Sequence, residues 1–280
     1  MASRSALAAL RNRNGTLSPV LQKVASHTQR HAEAVVYQTI IDLAETCAVS
    51  EASIIRLCRE LGFKGFQEFK LALATDLAVR PVAVPSSGSP ASTLEIADHV
   101  LREAQQVLLD TRELLDPDSL DRVVEVLATA PHIQVCGVGA SGVTAQDFAY
   151  KFTRLGLPAT AFTDPHMAAM AAATLRPGDV VLGISRSGTT KDIVHVVEVA
   201  GGRGATTIAL THRVRSALAA SADLILSVPA PESPLSGGAI SSKIGQLITL
   251  DILFSALALR HDDLTKAVEL TAAAVADKNL

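Results

Sequence analysis

The chain has no tryptophan, and aromatic residues make up only 3% of its 280 positions. Its core must therefore be aliphatic, built from Ala, Val, Leu and Ile. Cysteine is scarce as well: Cys47, Cys58 and Cys136 lie far apart and lack the C-x-x-C spacing of a zinc or redox site. Reduced thiols in a cytoplasmic protein are the simplest expectation. No segment reaches the roughly 18 uninterrupted apolar residues of a membrane helix, since even "LITLDILFSALAL", 247–259, carries Asp251. The first fifteen residues, "MASRSALAALRNRNG", have no acids and no long apolar stretch. They are unlike a secretory signal and superficially like a mitochondrial transit peptide, and a disordered N-terminal arm is the expectation. No internal repeat or low-complexity tract is evident.

What is present is a large apolar share, 48%, enough for one large domain or two smaller ones. The net charge of −3 is unevenly divided: residues 1–80 carry +3 and the remainder −6. A mildly basic front on an acidic body suggests a polyanion-binding module joined to something else. The stretch "RPVAVPSSGSPAS", 80–92, interrupts two helical regions with three prolines, serines and small residues, and reads as a linker. Residues 1–79 and 93–280 are then separate domains.

The first domain looks helical throughout. Ser18 and Pro19 suit the start of a helix with Val20, Leu21 and Val24 on one face, and a second short helix covers "TIIDLAET". After the tight connection Cys47, Ala48, Val49 comes the best-specified element of the chain, "SEASIIRLCREL". Ser50 is its N-cap, Val49 and Ile54 form a hydrophobic staple, and Ile54, Leu57, Cys58 and Leu61 repeat at helical spacing until Gly62 closes it. Glu51, Ala52, Ser53, Arg56 and Arg59 remain outside. A further amphipathic helix points Phe66, Phe69 and Leu73 inward.

A short helix, a tight turn and a capped helix with a small, then basic, outer face is the layout of a helix-turn-helix. Small residues permit close approach to a major groove, Arg56 suits a guanine edge, and Lys64 suits a phosphate. An ordinary helical hairpin with a solvated charged face fits the same pattern.

The second domain begins with helices over about 93–115 and after Pro117. Strand-like runs then alternate with helices: "HIQVCGV", "ATAFT", "DVVLGI", "ATTIALT" and "DLILSV". Such alternation implies a parallel sheet covered on both faces, and two helices close the chain. The loop "CGVGASG", 136–142, spells G-x-G-x-x-G, and Asp164 follows about 20 residues later, which raises the possibility of a dinucleotide site. A second loop, "ISRSGTT", 184–190, competes with it, setting Ser185, Ser187, Thr189 and Thr190 around Gly188 ahead of a helix. Hydroxyls and backbone N–H groups at a helix N-terminus suit a phosphate monoester. A dinucleotide site needs no such cradle, so a small phosphorylated ligand fits both loops better, and Asp164 becomes a cap ahead of Pro165. The alternative is that the hydroxyls only cap helices.

"VSEASIIRLCRELGFKGFQEFKLALA" resembles the DNA-binding segment of the RpiR family of bacterial transcription regulators. "GVGASG" and "SRSGTT" resemble the sugar isomerase (SIS) domain found behind it. The resemblance implies a helical, or winged-helix-like, reader of double-stranded operator DNA at 1–79, with Ser50, Glu51, Ser53, Arg56, Arg59 and Lys64 on its binding face. It implies an α/β SIS domain at 93–280, a five-stranded parallel sheet sandwiched by helices, that binds a phosphorylated sugar and joins the chains as homodimers or homotetramers. Gly139, Ser141, Ser185, Ser187, Gly188 and Thr190 would hold the phosphate, and His166 and Glu232 would touch the sugar. The partly apolar 247–259 segment is a further candidate interface.

SIS domains also occur in aldose–ketose isomerases, which need a base and a polarising group. Asp192, Glu232, His166, His195 and Lys243 are the candidates here. The arabinose-phosphate isomerase branch, however, has a lysine where this chain has Ala140 and a glutamate where it has Asp192. A cytoplasmic, ligand-controlled regulator of carbohydrate metabolism is expected, one that is not an enzyme and needs no metal or redox cofactor.

Overall fold

In a computed structural model of the chain, the described residues are 5–13, 17–78, 92–229 and 240–276. They form two compact units divided between Asp98 and His99. This division falls inside a helix, α7 (Thr93–Leu114), a few residues beyond the expected linker. The linker itself, apart from Ser92, lies outside the described residues.

The first unit is helical: α1 (Ala6–Asn12), α2 (Pro19–Arg30), α3 (Ala32–Tyr37), α4 (Ile40–Cys47), α5 (Glu51–Glu60) and α6 (Phe66–Ala78). Leu10, Leu21, Val24, Leu43, Ile54, Leu57, Phe69 and Leu73 form its core. Sequence periodicity had anticipated α2, α4, α5 and α6, but the N-terminal segment is a correction. Residues 6–12 are a helix whose Ala6 and Leu10 are fully buried, not a disordered arm. Its anchor is Asp76 on α6, whose carboxylate accepts from the Ser5 hydroxyl at 2.9 Å and the Leu7 N–H at 2.7 Å. Ser18 is the N-cap residue of α2 with Pro19 opening the helix, as expected, although its side chain makes no capping bond. One smaller expectation fails: Val20 is exposed while Leu21 and Val24 face the core.

The second unit places α8 (Pro117–Thr129), capped by Asp116, before a parallel sheet. The chain continues as β1 (Ile133–Gly137), α9 (Ala140–Arg154), β2 (Ala159–Phe162), α10 (Pro165–Ala172), β3 (Val180–Ile184), α11 (Lys191–Gly202), β4 (Thr206–Thr211), α12 (Ala217–Ala220) and β5 (Leu224–Ser227), and ends with α13 (Ile240–Arg260) and α14 (Asp262–Ala276). The strand order is β2-β1-β3-β4-β5, all parallel, with Gly137 beside Ile184 and Cys136 beside Phe162. All five expected strands are present.

Alternation along the strands divides the side chains between two cores. Val135, Leu182, Ile184, Ile208 and Leu210 meet Phe148, Phe152, Leu250, Leu253 and Leu257 on one face. Fully burying an aromatic or leucine side chain of this kind contributes roughly 2–3 kcal/mol. The other face is lined by the smaller Cys136, Gly183 and Ala209, which let α11 lie close; a Cβ at Gly183 would stand 2.7 Å from Val197. The 247–259 segment, a candidate interface by sequence, is mostly used inside the unit. Its Leu250, Leu253 and Leu257 are core residues, although Leu259 stays exposed. No single helix among the described residues is long and apolar enough to cross a membrane.

Candidate functional site

In the helical unit the turn before α5 is set by two hydrogen bonds: Val49 N–H to Ala44 C=O at 2.9 Å and Ala48 N–H to Glu45 C=O at 3.0 Å. Ala48 takes a left-handed conformation, φ 48°, to make them. Ser50 then caps α5, its Oγ accepting from the Ser53 N–H at 3.3 Å and lying 2.9 Å from the Ser53 hydroxyl. Ile54, Leu57 and Cys58 anchor α5 to the core, and this fixes which face is outward. Glu51, Ala52, Arg56 and Arg59 are exposed there, with Ser53 half-buried among them. Arg56 Nε meets Glu60 at 3.2 Å, an exposed i,i+4 pair worth a few tenths of a kcal/mol. Its guanidinium is therefore readily transferred to another partner. Lys64 is exposed just beyond the helix, its backbone N–H held by the Glu68 carboxylate.

In the sheet unit the order 2-1-3 brings the carboxyl ends of β1 and β3 side by side at the point where the strand order reverses. This is where open α/β sheets leave a crevice for ligands. Gly139 is the N-cap residue of α9 at φ 59°, with Ala140 and Ser141 in the first turn. Ser141 is half-buried, and its hydroxyl enters no hydrogen bond among the described residues. On β3's side Ser185 is buried and its hydroxyl lies 2.9 Å from that of Thr190. Thr190 is the N-cap residue of α11 but makes no side-chain cap bond. The Ser187 Oγ accepts from the N–H and hydroxyl of Thr189, at 3.3 and 3.0 Å. Apart from this local turn, the hydroxyls face one another or the loop rather than the amides of α11.

Gly188 sits at φ 64°, and a Cβ there would stand 2.1 Å from Ser216 Oγ and 3.0 Å from Thr211 Oγ1. Thr211 also donates to the Arg186 carbonyl at 3.2 Å and accepts from the Arg213 N–H at 3.2 Å. Thr211, the last residue of β4, and Arg213 and Ser216 just after it escape the sequence reading. The signal available for them is the polar run "THRVRS" after an apolar strand, at the same sheet edge as the two loops.

Among the sugar-side candidates, His166 is exposed in the first turn of α10, at the carboxyl end of β2, the strand beside β1. Asp164 caps that helix, accepting from the Met167 N–H at 2.8 Å. Glu232 lies outside the described residues. Asp192 and His195 are exposed on α11, and Lys243 is half-buried on α13. Burial pushes the Cys58 and Cys136 thiols up to about 12, so both are neutral and unreactive. No group of three potential metal ligands occurs among the described residues. A separate open cleft of about 700 Å³ lies at the opposite, amino edge of the sheet, lined by Arg122, Thr206, Ser221 and Asp223 among others.

Comparison with known proteins matches residues 5–80 to the helix-turn-helix domain of the rpiR family and residues 126–256 to the SIS domain. An uncharacterized HTH-type transcriptional regulator of Caldanaerobacter subterraneus is 37% identical over 95% of both chains. The chain is also similar, at 35% identity and a TM-score of 0.82 over 97% of its length and 98% of the other's, to the Vibrio vulnificus NanR protein complexed with ManNAc-6P. A Burkholderia thailandensis protein named bifunctional protein glk is 33% identical over 93% of this chain but only 41% of its own length.

Proposed function

The chain belongs to the rpiR family of helix-turn-helix transcriptional regulators and carries a SIS domain, and from that premise we propose that a phosphorylated sugar controls its grip on operator DNA. The observation that carries the effector half is the disposition of hydroxyls at the β1/β3 switch point. Thr190 occupies an N-cap position but turns to Ser185 instead of capping its helix. Ser141, Ser185, Ser187 and Thr190, with the backbone at Gly139 and Gly188, would receive the phosphate at the positive ends of α9 and α11. His166 and Glu232 would meet the sugar. NanR, with its bound ManNAc-6P, supports an amino-sugar phosphate as the first ligand to test.

The reader half rests on α5. Ser50, Glu51 and Ser53 at its N-terminus would lie nearest the bases with Arg56, while Arg59 and Lys64 would take phosphates. Two such readers, in a homodimer or homotetramer joined through SIS domains, would hold two half-sites in the cytoplasm. The effector shifts this arrangement only as far as it binds one state more tightly, with couplings of typically about 1–3 kcal/mol. Among the described residues no isomerase pair is evident, because Ala140 has no group that moves a proton and His195 is an exposed surface residue. Turnover of sugar phosphates is not expected.

The test has two arms. Wild-type protein should bind its own upstream DNA with a steep salt dependence, and Arg56→Ala should weaken that binding about tenfold or more; unchanged affinity overturns the reader assignment. ManNAc-6P and a panel of other phosphosugars should raise the Tm where NAD does not. Ser187→Ala should reduce the response to the best ligand, and a wild-type response removes the phosphate cradle.

A further inference from the structure

The two edges of the sheet differ in electrostatic sign. Helices α9 and α11 begin at the carboxyl edge, where their N-termini favour an anion, whereas α11 ends at the amino edge, where a helix carboxyl end favours a cation. The open cleft at that amino edge, about 700 Å³, takes its walls from α8, the end of α11 and the starts of β4 and β5. Small-ligand sites occupy roughly 300–1,000 Å³. Asp223, just ahead of β5, is held there by Thr207: its Oδ2 accepts from the Thr207 N–H and hydroxyl, both at 2.8 Å, and its N–H donates back to Thr207 Oγ1 at 2.9 Å. Oδ1 enters no hydrogen bond among the described residues. Arg122 is exposed on α8 and makes no ion pair among the described residues, although Asp118 and Glu125 stand about one turn away on the same helix. It does not meet Asp223 either. The Thr206 hydroxyl, half-buried at the start of β4, is likewise without a hydrogen bond among the described residues. On the α11 side Gly201 and Gly204 put no side chain into the cleft.

We propose that the amino-edge cleft binds a free amino acid, with its carboxylate at Arg122 and its ammonium between Asp223 Oδ1 and the carboxyl end of α11. A guanidinium and a carboxylate that line one cleft without pairing with each other are complementary to a ligand that carries both charges. The guanidinium offers a carboxylate two parallel N–H donors, and the ammonium gains both a full and a partial negative charge at the other end. Thr206 adds a hydroxyl for a polar ligand side chain. A phosphosugar is the wrong ligand for this edge, because Asp223 and the carboxyl end of α11 both repel a phosphate. The cleft is open, so its contacts stay partly solvated and the affinity is expected to be millimolar. This site lies at the other end of the strands from the hydroxyl-bearing loops and takes a different class of molecule.

Calorimetric titration of the full chain with the polar L-amino acids tests this, with the decarboxylated amine and the hydroxy acid of the best binder as probes that carry one charge each. L-Serine, for instance, is matched by ethanolamine and glycerate. The amino acid should bind, and each one-charge analogue should bind about tenfold more weakly or worse. Arg122→Ala and Asp223→Asn should each weaken the amino acid by about tenfold. The Asn oxygen can still accept from Thr207, and Arg122, exposed and unpaired, can be replaced without removing a contact of the fold, so its variant decides the matter should Asp223→Asn be destabilised. Absence of binding by every amino acid at millimolar concentration overturns the proposal. So does equal binding of the amine or the hydroxy acid, or undiminished affinity in Arg122→Ala. The phosphosugar response at the carboxyl edge is read separately, and its success or failure changes none of these outcomes.

Discussion

The two loops at the sheet edge look alike in sequence but are tight for different reasons. Each follows a buried strand, opens a helix and holds a glycine near φ 60°, Gly139 in one and Gly188 in the other. The β1–α9 loop is closed by main chain: a Cβ at Gly137 would lie 2.5 Å from the Ser141 carbonyl oxygen and 2.7 Å from its carbon. The β3–α11 loop is closed by side chains from the end of β4 and just after it, Thr211 and Ser216. The first loop is therefore a fixed backbone turn that presents amides and one serine. The second is a frame of hydroxyls whose shape depends on a neighbouring loop, and it is the one a ligand would be expected to adjust.

Substitutions at the two glycines test this difference. Gly137→Ala should have the largest effect, about 3 kcal/mol or more of lost stability, because backbone atoms do not rotate away from an added methyl group. Chemical denaturation measures it, and a loss below about 1 kcal/mol would show that the β1–α9 turn is softer than its contacts imply. Gly188→Ala should cost somewhat less, about 2–3 kcal/mol, and abolish the thermal shift by phosphosugars. Here relief is available. Adding Ser216→Gly removes both the hydroxyl and the Cβ in the way, so the double substitution should be markedly less damaging than the sum of the singles. Additive costs would mean that the left-handed backbone at Gly188, and not Ser216, sets the requirement.

What the amino-acid sequence revealed divides along the same line between local and distant causes. The five strands, the capped α5 and the two loops were legible because each is signalled by neighbours within a few residues: β-branched runs, a Ser50 cap, a Gly62 stop. Helix α1 was not, because it is held by Asp76, some seventy residues away. The roles of Thr211 and Ser216 were hidden for the same reason; nothing near Gly188 in the chain indicates which side chains crowd it. The 247–259 run misled in the opposite direction. Its apolarity is real, but α8, α9 and the sheet already account for most of it.

The smallest predicted effect isolates backbone strain from neighbours altogether. Helices α4 and α5 end in the same pair of hydrogen bonds: Phe63 N–H to Cys58 C=O and Gly62 N–H to Arg59 C=O close α5, as the Val49 and Ala48 amides close α4. At the left-handed position α5 has Gly62, φ 86°, whereas α4 has Ala48, φ 48°. A Cβ in that conformation costs roughly 1–2 kcal/mol, and a glycine returns part of the gain by loosening the unfolded chain. Ala48→Gly should therefore stabilise the protein by about 0.5–1 kcal/mol in chemical denaturation, with operator affinity unchanged, since the hydrogen bonds that aim α5 are kept. Stabilisation accompanied by weaker DNA binding would mean that the strained alanine helps to hold the turn rigid for the reader helix.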